Sequence, residues 1–491
     1  MEAPQVNEKV PTLDPVMVED VDEVLTEEEK SRLDRQLVRK LDLKLIPWLT
    51  LLYLASFLDR TNVGNAKIEG LQEDLKMTNN QYNLGLAIFF IVYAIFEPLT
   101  NVLLKRLRPS VFIPVITIAW GICTTTLGLV HDFGGFLTTR AFLGLTEGGL
   151  YPAVIYFLSC WYKRSELGIR MAFFVSAASL AGSFGSLLAA AIAKMDGVGG
   201  KAGWAWIFIL EGLATVVLGV ISFWMVHDFP DKATFLSDAE RKRVIRRLTI
   251  DQQSSVHDES WNKQYLVASL TDWKTYIGAL TYTGAGASTY AFSLFLPTVI
   301  KELGYTSTRA QLLSVPPYAL AAIMSVAIGY LADRTRARGI CNICMALIAA
   351  GGFSMLLGAE AAGTRYAGVF LGAMGLYPCL ANTLTWLSNN LEGVYKRGLT
   401  LGIVIMWNNL NGIVSANIYR GSDAPDFPTG HGVVLGYITV FLLGGSIIQT
   451  LMLRAENRKR ATGSRDARLV GLDQHQIYML GDQRPDFVYT T

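Results

Sequence analysis

The sequence predicts an all-α membrane protein in which twelve membrane-spanning helices form two pseudo-symmetric bundles of six. This prediction rests on an apolar composition, a series of long apolar segments, and a repeat that relates the two halves of the chain. Of the 491 residues, 51% are hydrophobic and only 17% are charged, whereas soluble domains carry about 25% charged residues. The net charge of +2 is too small to indicate a nucleic-acid partner.

Twelve apolar segments of roughly 20 residues match the hydrocarbon thickness of a bilayer when they are helical. The predicted spans are 45–63, 82–104, 111–130, 136–160, 169–193, 204–226, 274–298, 311–332, 340–358, 366–391, 399–419 and 433–454. We therefore expect a multi-pass protein whose outer surface contacts the lipid bilayer.

Basic residues concentrate in alternate loops. The clusters "LVRKLDLK" before span one, "YKRSELGIR" after span four and "ERKRVIRR" after span six fall on one side of the membrane. Because loops rich in Lys and Arg stay in the cytoplasm, both termini are expected there, most simply in a protein of the plasma membrane. The first 44 residues show no pattern of a secretory signal peptide.

These signals divide the chain into five parts. The parts are a cytoplasmic tail over 1–44, a first bundle over 45–226, a cytoplasmic loop over 227–271, a second bundle over 272–455 and a cytoplasmic tail over 456–491. Thr26 with Glu29, and Ser237 with Glu240, have the spacing of a helix capping box. We expect a helix leading into span one, and either an amphipathic helix or a solvated linker in the central loop.

The tetrapeptide GLYP occurs at 149–152 in span four and again at 375–378 in span ten. A second pair of similar segments, "NVLLKRLR" and "GYLADRTR", ends spans two and eight at nearly the same offset. The two pairs indicate an internal duplication, and parallel halves are typical of transporters with a substrate site near the midplane. Pro152 and Pro378 should bend spans four and ten, since proline interrupts the helical hydrogen-bond ladder.

Span four carries the ionisable residues that matter most for function. Arg140, Gly144, Glu147 and Tyr151 recur at spacings of three and four, which places them on one helix face. A guanidinium offers a charged fork for a carboxylate, and a glutamate in an apolar setting can carry a proton. An anion–proton symporter needs both groups; the alternative is a structural ion pair that holds span four against a neighbour. Glu211 in span six is a second candidate for proton coupling.

Several motifs resemble one transporter family. "GYLADRTRARG", with Gly329, Asp333 and Arg334, resembles the cytoplasmic loop motif of the major facilitator superfamily. More narrowly, "SFLDRTNVGNA", "RAFLGLTEGGLYP" and the tail "LGDQRPDF" are similar to the fungal allantoate permease family of its anion:cation symporter branch. The resemblance implies proton-coupled import of a small organic anion by alternating access, with nicotinate, pantothenate or an allantoate-like compound as examples.

The resemblance also implies roles for individual residues. Related vesicular glutamate transporters and sialin carry an Arg and a Glu that match Arg140 and Glu147, implicated in substrate binding and proton coupling. Arg60 and Asn62 of "LDRTN" match an Arg and an Asn of these relatives, although Asp59 and Arg60 could instead neutralise each other. The relatives have a further Arg in span seven, where this chain reads "YTGAGASTYAF". A monocarboxylate therefore fits better than a dicarboxylate.

The second half supplies neutral polar and aromatic side chains that suit the uncharged body of a substrate. Single residues of this kind also serve as contacts between helices. The substrate-binding candidates from this half are Tyr290, Tyr377, Asn382, Trp407 and Asn408.

Other classes of function have no support in the sequence. Cys341 and Cys344 form a C-x-x-C without a second ligand pair, so no metal site is expected. No phosphate-binding glycine loop is present, and we expect neither an ATP-driven pump nor an enzyme, with no cofactor and a monomeric state. The alternatives left open are an exporter of a fungal secondary metabolite with the same fold and, more remotely, a nutrient sensor.

Overall fold

The computed structural model describes residues 26–250, 263–392, 394–469, 471 and 480–491, and these are helical apart from short connections. Twelve long helices, numbered here α1 to α12, follow one another along the chain. They are Glu27–Ile68, Asn79–Arg106, Pro109–Leu127, Phe133–Ser159, Arg164–Ile192, Gly203–Met225, Trp273–Glu302, Ser307–Thr335, Arg338–Gly358, Ala362–Asn389, Val394–Asn417 and Pro428–Ala461.

Ten of these helices are long and apolar enough to cross a membrane, judged over the part of the chain that the structure describes. The other two, α2 and α7, have 28 and 30 residues, which is ample length for a span. Nearly all side chains of α7 are buried, including many Thr, Ser and Tyr residues. A helix enclosed by other helices can be less apolar than one that faces lipid. This explains why α7 is less apolar than the ten helices above.

Helix α1 begins at the capping box that the sequence predicted. The Glu29 backbone N–H donates to Thr26 Oγ1 at 3.3 Å, and the Thr26 N–H donates to Glu29 Oε2 at 3.0 Å. The helix continues without interruption to Ile68, over 42 residues. Its first turns therefore project beyond the predicted span, from residues that were assigned to a cytoplasmic tail. The proposed domain boundaries stay predictions, because parts of both tails and of the central loop lie outside the described residues.

The central loop contains a helix, Asp238–Ile250, as expected from its capping box. Ser237 and Glu240 make the reciprocal cap contacts, and the helix packs against the first turns of α1. Arg243 Nε donates to Asp34 at 2.7 Å, and Lys40 Nζ donates to Glu240 at 2.7 Å. The loop is thus attached to the first bundle.

The fourth span differs from the tenth at the repeated tetrapeptide. Helix α4 is interrupted between Glu147 and Leu150, and a new helical segment continues to Ser159. Helix α10 runs from Ala362 to Asn389 as one helix through Pro378. The part that Pro152 and Pro378 play in bending the two spans stays a prediction.

The two bundles meet through pairs of helices that the internal duplication relates to one another. Helix α1 contacts α7, α2 contacts α11, and α5 contacts α8. In the duplicated chain, α1, α2 and α5 correspond to α7, α8 and α11, so the second and third contacts are equivalent by pseudo-symmetry. An additional contact joins α5 to α10.

Contacts between the bundles close one end of the molecule. We call this the far end, and the opposite end, which carries Glu27 and Ala461, the terminal end. At the far end, Lys301 Nζ and Ser307 Oγ both donate to the Ile68 carbonyl, at 3.2 and 3.0 Å. At the terminal end, the ion pairs among the described residues each stay within one half of the chain or join the central loop to the first half. The structure is closed at the far end.

Residues 480–491, which we call the strap, cover the terminal end of the second bundle. Asp482 is fully buried there and accepts hydrogen bonds from Lys274 Nζ at 2.5 Å and from Lys396 Nζ at 2.8 Å. Asp272 lies beside the same two lysines. Burial by itself would raise the pKa of Asp272, but the two ammonium groups outweigh that effect and hold the pKa below its ordinary value. Asp272 is therefore charged at neutral pH.

The backbone of the strap is paired with asparagine side chains. Asn390 exchanges two hydrogen bonds with the backbone of Thr490, at 2.8 and 3.0 Å, and Asn457 does the same with Tyr489, at 2.8 and 2.9 Å. Arg460 stacks on the Tyr489 ring, 4.1 Å from its centroid. The strap thus joins the ends of α7, α10, α11 and α12.

We predict that Asp482→Ala destabilises the protein, because it leaves two lysines with one carboxylate in a buried site. Removing one partner of a buried ion pair typically costs about 3–5 kcal/mol. The measurement is the unfolding midpoint of the purified protein in detergent. Asp486→Ala is the control, because its side chain is 75% exposed in the same strap. Equal midpoints for the two variants would contradict the ion-pair assignment.

Candidate functional site

The interior of the first bundle contains an ion pair between α1 and α4. Glu147 Oε1 accepts hydrogen bonds from Arg60 Nη2 at 2.6 Å and from Ser56 Oγ at 2.7 Å. Neither Arg60 nor Glu147 is more than 5% exposed. Glu147 Oε2 is buried and has no hydrogen-bond partner among the described residues. The contacts of the ion pair are thus made by Oε1 alone.

Aromatic rings surround the Arg60 guanidinium. Its central carbon lies 5.0–5.6 Å from the ring centroids of Phe57, Phe89, Tyr93 and Tyr290. Aromatic faces attract a cation through their quadrupoles, so the cage favours a charged guanidinium at this place. Because three rings come from the first half of the chain and Tyr290 comes from the second, the cage lies where the two bundles meet.

Arg140 is the least satisfied charge of the site. Its side chain is fully buried, and Nε donates to the Gly85 carbonyl at 3.3 Å. Nη1 and Nη2 have no hydrogen-bond partner within the described chain. The guanidinium lies 4.7 Å from the centroid of Phe89, the ring that also contacts Arg60. A buried cation with two free donors is costly unless an anion satisfies it.

The formal charges of Arg60, Glu147 and Arg140 add up to one positive charge in excess. Arg60 and Glu147 neutralise each other, whereas Arg140 has no carboxylate partner in the described structure. The alternative of a structural ion pair that holds span four against a neighbouring helix matches the contact that Glu147 makes with Arg60 of α1, whereas Arg140 takes no part in that pair. A site with one excess positive charge is complementary to a monoanion.

A chain of hydrogen bonds connects this site to the second bundle. Arg60 Nη1 donates to the Tyr290 hydroxyl at 3.0 Å, and that hydroxyl donates to Asn409 Oδ1 at 3.2 Å. Asn409 Nδ2 then donates to Glu97 Oε2 at 2.8 Å. The chain begins in α1, crosses to α7 and α11, and returns to α2. A change in the charge of Glu147 is thus linked by direct contacts to the interface between the bundles.

Two further predicted residues lie close to the centre. Tyr151 packs against Tyr53, with 5.4 Å between ring centroids, and against Phe174. Tyr377 is buried in the second bundle, where its hydroxyl lies 2.7 Å from Ser293 Oγ. Both tyrosines present a polar group within an apolar surrounding, as binding sites for small molecules do.

The structure does not bring four of the predicted substrate-binding residues to the ion pair. Asn62 points to α6 and donates to Glu211, and Asn382 accepts from Arg338 at 2.9 Å near the terminal end. Asn408 lies in the seam between α11 and α7, where its Oδ1 faces Gly286. Trp407 is 48% exposed on the outside of the bundle. Any part that these four residues take in binding stays a prediction.

The loop motif between α8 and α9 has a clear local structure. Asp333 forms an ion pair with Arg338, which begins α9, while the side chain of Arg334 is exposed and Gly329 lies inside α8. The motif therefore fixes the connection between the two helices. Its role in gating stays a prediction.

Sequence reasoning missed several residues of the site. Ser56 and Tyr53 lie four and seven residues before Arg60, which places them on the same face of α1, so helical spacing could have found them. Asn409 and Phe89 carry no such signal, because only the packing of α2 and α11 brings them to Arg60.

Comparisons with known proteins agree with this architecture. The model of the Major Facilitator Superfamily matches residues 49–416. The MFS-type transporter cnsO of Penicillium expansum is 35% identical over 440 residues, which cover 87% of this chain and 85% of that protein. The High-affinity nicotinic acid transporter of Saccharomyces cerevisiae is 30% identical over 460 residues, covering 93% and 85%.

Among solved structures, this chain is similar to a bacterial homolog of the human lysosomal transporter Spinster in an inward-facing and unoccupied conformation. The TM-score is 0.64 with 15% sequence identity, covering 82% of this chain and 95% of the other. The likeness confirms the predicted fold of twelve spans in two related bundles.

We predict that Gly64→Ala shifts the protein toward conformations that are open at the far end. Gly64 lies one turn beyond Arg60, and a Cβ there would come within 2.3 Å of the Leu294 carbonyl oxygen on α7. Overpacking costs about 1–3 kcal/mol, which shifts a two-state equilibrium by roughly five- to 150-fold. The measurement is the labelling rate of Thr298→Cys by an impermeant maleimide, with the native cysteines replaced.

The matched control is Gly402→Ala in α11, since nothing lies within 4 Å of a Cβ built at that position. If both alanine variants label at the same rate, the contact between α1 and α7 does not set the equilibrium.

Proposed function

The chain is a membrane transporter of the major facilitator superfamily, and we propose that it imports a small organic anion together with protons by alternating access. The finer placement that we propose is the anion:cation symporter branch, in the fungal allantoate permease family. The transporter would act in the plasma membrane with its terminal end in the cytoplasm, as the loop charges favour. A monocarboxylate or a vitamin of the nicotinate type is the substrate class that fits best.

The observation that carries this proposal is the buried Arg140 guanidinium with two unsatisfied nitrogens. A carboxylate can accept two parallel hydrogen bonds from such a fork. The excess of one positive charge supports a monoanion over a dianion. Tyr151 and Tyr290 would contact the uncharged part of the substrate.

Proton coupling follows from the shared ion pair. Glu147 holds Arg60 through the hydrogen bond from Nη2 to Oε1 at 2.6 Å. A proton on Glu147 would remove the negative charge that holds Arg60, so that this guanidinium could turn to the substrate carboxylate. Proton binding and anion binding would then favour each other, as a symporter requires.

The interface between the bundles supports movement of the two halves. The hydrogen bonds from Arg60 through Tyr290 and Asn409 to Glu97 cross that interface twice. When a substrate replaces Glu147 as the partner of Arg60, the hydrogen bonds that connect Arg60 to Glu97 have to rearrange. The site would thereby bias the halves between the form closed at the far end and its opposite.

Similarity to the nicotinic acid transporter at 30% identity supports a vitamin carboxylate as the cargo. An anion that enters a cell with a negative interior moves against about 2.3 kcal/mol per charge per 100 mV, so import needs a co-transported cation. The alternative function is export of a fungal metabolite. It predicts that preloaded cells release the substrate even when the substrate concentration outside equals that inside.

Arg140→Lys is expected to insert normally and to lose most uptake, because a lysine keeps the charge and lacks the fork. Hydrogen bonds to charged groups contribute about 1.5–3 kcal/mol, which corresponds to roughly ten- to hundredfold in uptake at low substrate concentration. The measurement is uptake from a panel of radiolabelled carboxylates. Arg365→Lys is the control, because Arg365 bonds Asp426 near the surface at the start of α10. Uptake by Arg140→Lys equal to that control would exclude bidentate recognition.

Glu147→Gln is expected to lose uphill accumulation driven by a proton gradient while it retains counterflow of bound anion, because the amide resembles the protonated carboxyl. Proteoliposomes preloaded with unlabelled substrate separate the two activities. Glu360→Gln, on the exposed connection between α9 and α10, is the control. Accumulation by Glu147→Gln in response to a proton gradient would show that the coupling site lies elsewhere.

A further inference from the structure

A lysine lies near the far end of α1, on the face that carries Arg60. Lys67 follows Arg60 and Gly64 at intervals of four and three residues, so the three positions share one face of the helix. Arg60 bonds Tyr290 of α7, and Gly64 lies against the Leu294 backbone of the same helix. This face therefore follows the interface between the bundles from the interior to the far end.

Two aromatic rings, one from each bundle, enclose the Lys67 ammonium group. Its nitrogen lies 4.6 Å from the ring centroid of Tyr82 in α2 and 5.6 Å from that of Phe295 in α7. Tyr82 is attached to the first bundle, since its hydroxyl donates to the Val63 carbonyl at 3.2 Å. Phe295 stacks on Tyr419 of the second half, with 4.9 Å between centroids. When the bundles separate at the far end, Lys67 thus keeps Tyr82 and loses Phe295.

The half-buried Lys67 ammonium group has no ionic partner in the described chain. It takes part in no ion pair or hydrogen bond there, and its contacts are the two rings. Glu73 and Glu302 are the carboxylates whose charges act on it, but both are exposed and neither forms an ion pair with it. Aromatic faces attract an ammonium group without neutralising its charge. Withdrawal of Phe295 therefore leaves a positive charge without a counter-ion at the far end.

Tyr82 also lies beside the buried guanidinium of the site. Its ring stacks on Phe136 of α4, one turn before Arg140, with 6.3 Å between centroids. Gly85, one turn after Tyr82 on α2, provides the carbonyl that accepts from Arg140 Nε at 3.3 Å. Because α2 and α4 both begin at the far end, Arg140 lies deeper than Tyr82. Lys67 and Arg140 are thus successive cations on the two sides of one tyrosine.

We propose that Lys67 is an entry subsite, which binds the substrate carboxylate at the far end and passes it to Arg140. The proposal rests on the proposed import of an organic anion, with the far end facing outward. In the closed form, the Phe295 ring occupies the place beside the ammonium group that the carboxylate takes in the open form. An ammonium group is a compact charge with three rotatable donors, which suits brief binding in any orientation, whereas the Arg140 fork orients the carboxylate.

Uptake kinetics test this role with the radiolabelled carboxylate that the wild-type protein takes up best. Lys67→Met keeps the length of the side chain and removes its charge. It should raise KM about fivefold, the upper range for an ion pair in a hydrated site, with Vmax nearly unchanged. Lys67→Arg should keep the wild-type KM. The control is Lys194→Met, in the connection between α5 and α6 at the far end, where the lysine is exposed. Equal KM values for Lys67→Met and this control would overturn the proposal.

A purely mechanical role of Lys67 predicts a change of KM in the opposite direction. If its contact with Phe295 served only to hold the far end closed, loss of the contact would increase the fraction of molecules that are open to the outside. The apparent affinity for external substrate would then rise, because more of the protein is competent to bind. A KM below that of the wild type in Lys67→Met would thus reject the entry subsite in favour of a latch.

A second measurement needs no transported substrate. Thr298, one turn after Phe295 on α7, is replaced by cysteine in the purified full chain without native cysteines, and its reaction rates with an anionic and a cationic methanethiosulfonate are compared. A positive charge raises the local concentration of anions, so Lys67→Met should lower the ratio of the anionic to the cationic rate severalfold. The ratio cancels any change in the fraction of open molecules. An unchanged ratio would contradict the proposal.

The two measurements separate the subsite from the proposed cargo. If no carboxylate is taken up but the rate ratio falls in Lys67→Met, Lys67 attracts anions at the far end and the proposed substrate class fails. If carboxylate uptake follows the proposed function but neither KM nor the ratio responds to Lys67→Met, the entry subsite is rejected alone.

Discussion

The buried ion pair between Arg60 and Glu147 is the constraint on which the interior of the molecule depends. It engages the Glu147 carboxylate and leaves Arg140 without a carboxylate partner among the described residues. A permanent charge cannot be neutralised by losing its proton, and the carboxylate of the proposed substrate would supply the missing negative charge. The same pair sets the orientation of Arg60 toward Tyr290, and through Asn409 it reaches the second bundle. The same ion pair thus determines both the charge balance of the interior and the contact between the bundles.

Close approach at the far end depends on small residues where the bundles touch. Cβ atoms at Gly64, Gly182 and Gly412 would each come within 3 Å of an atom of the other half. These positions lie on α1, α5 and α11, the helices that make the pseudo-symmetric contacts. The glycines leave room for the Leu294 backbone and for the Tyr318 and Phe90 rings of the facing helices.

The sequence predicted the fold well because the membrane imposes it. Span length, loop charge and the repeated GLYP segment each reflect a constraint that acts locally along the chain. The site was predicted only in part, since its geometry depends on how helices rotate against each other. Arg140 and Glu147 share a face by spacing alone, but nothing in the spacing shows that Glu147 takes Arg60 as its partner. Asn382 and Trp407 were polar or aromatic residues in the right spans, and helix rotation directs one to Arg338 and the other outward.

The strap has a consequence for biosynthesis. Its binding surface is assembled from Lys274, Trp386, Lys396 and Asn457, which belong to four different helices of the second bundle. The ribosome makes residues 480–491 after all four, so the strap can dock only when those helices have already found one another. Until then Asp482 has neither of its lysine partners, and Tyr489 has no arginine to stack on. A docked strap is therefore a sign that the four helices of the second bundle have assembled.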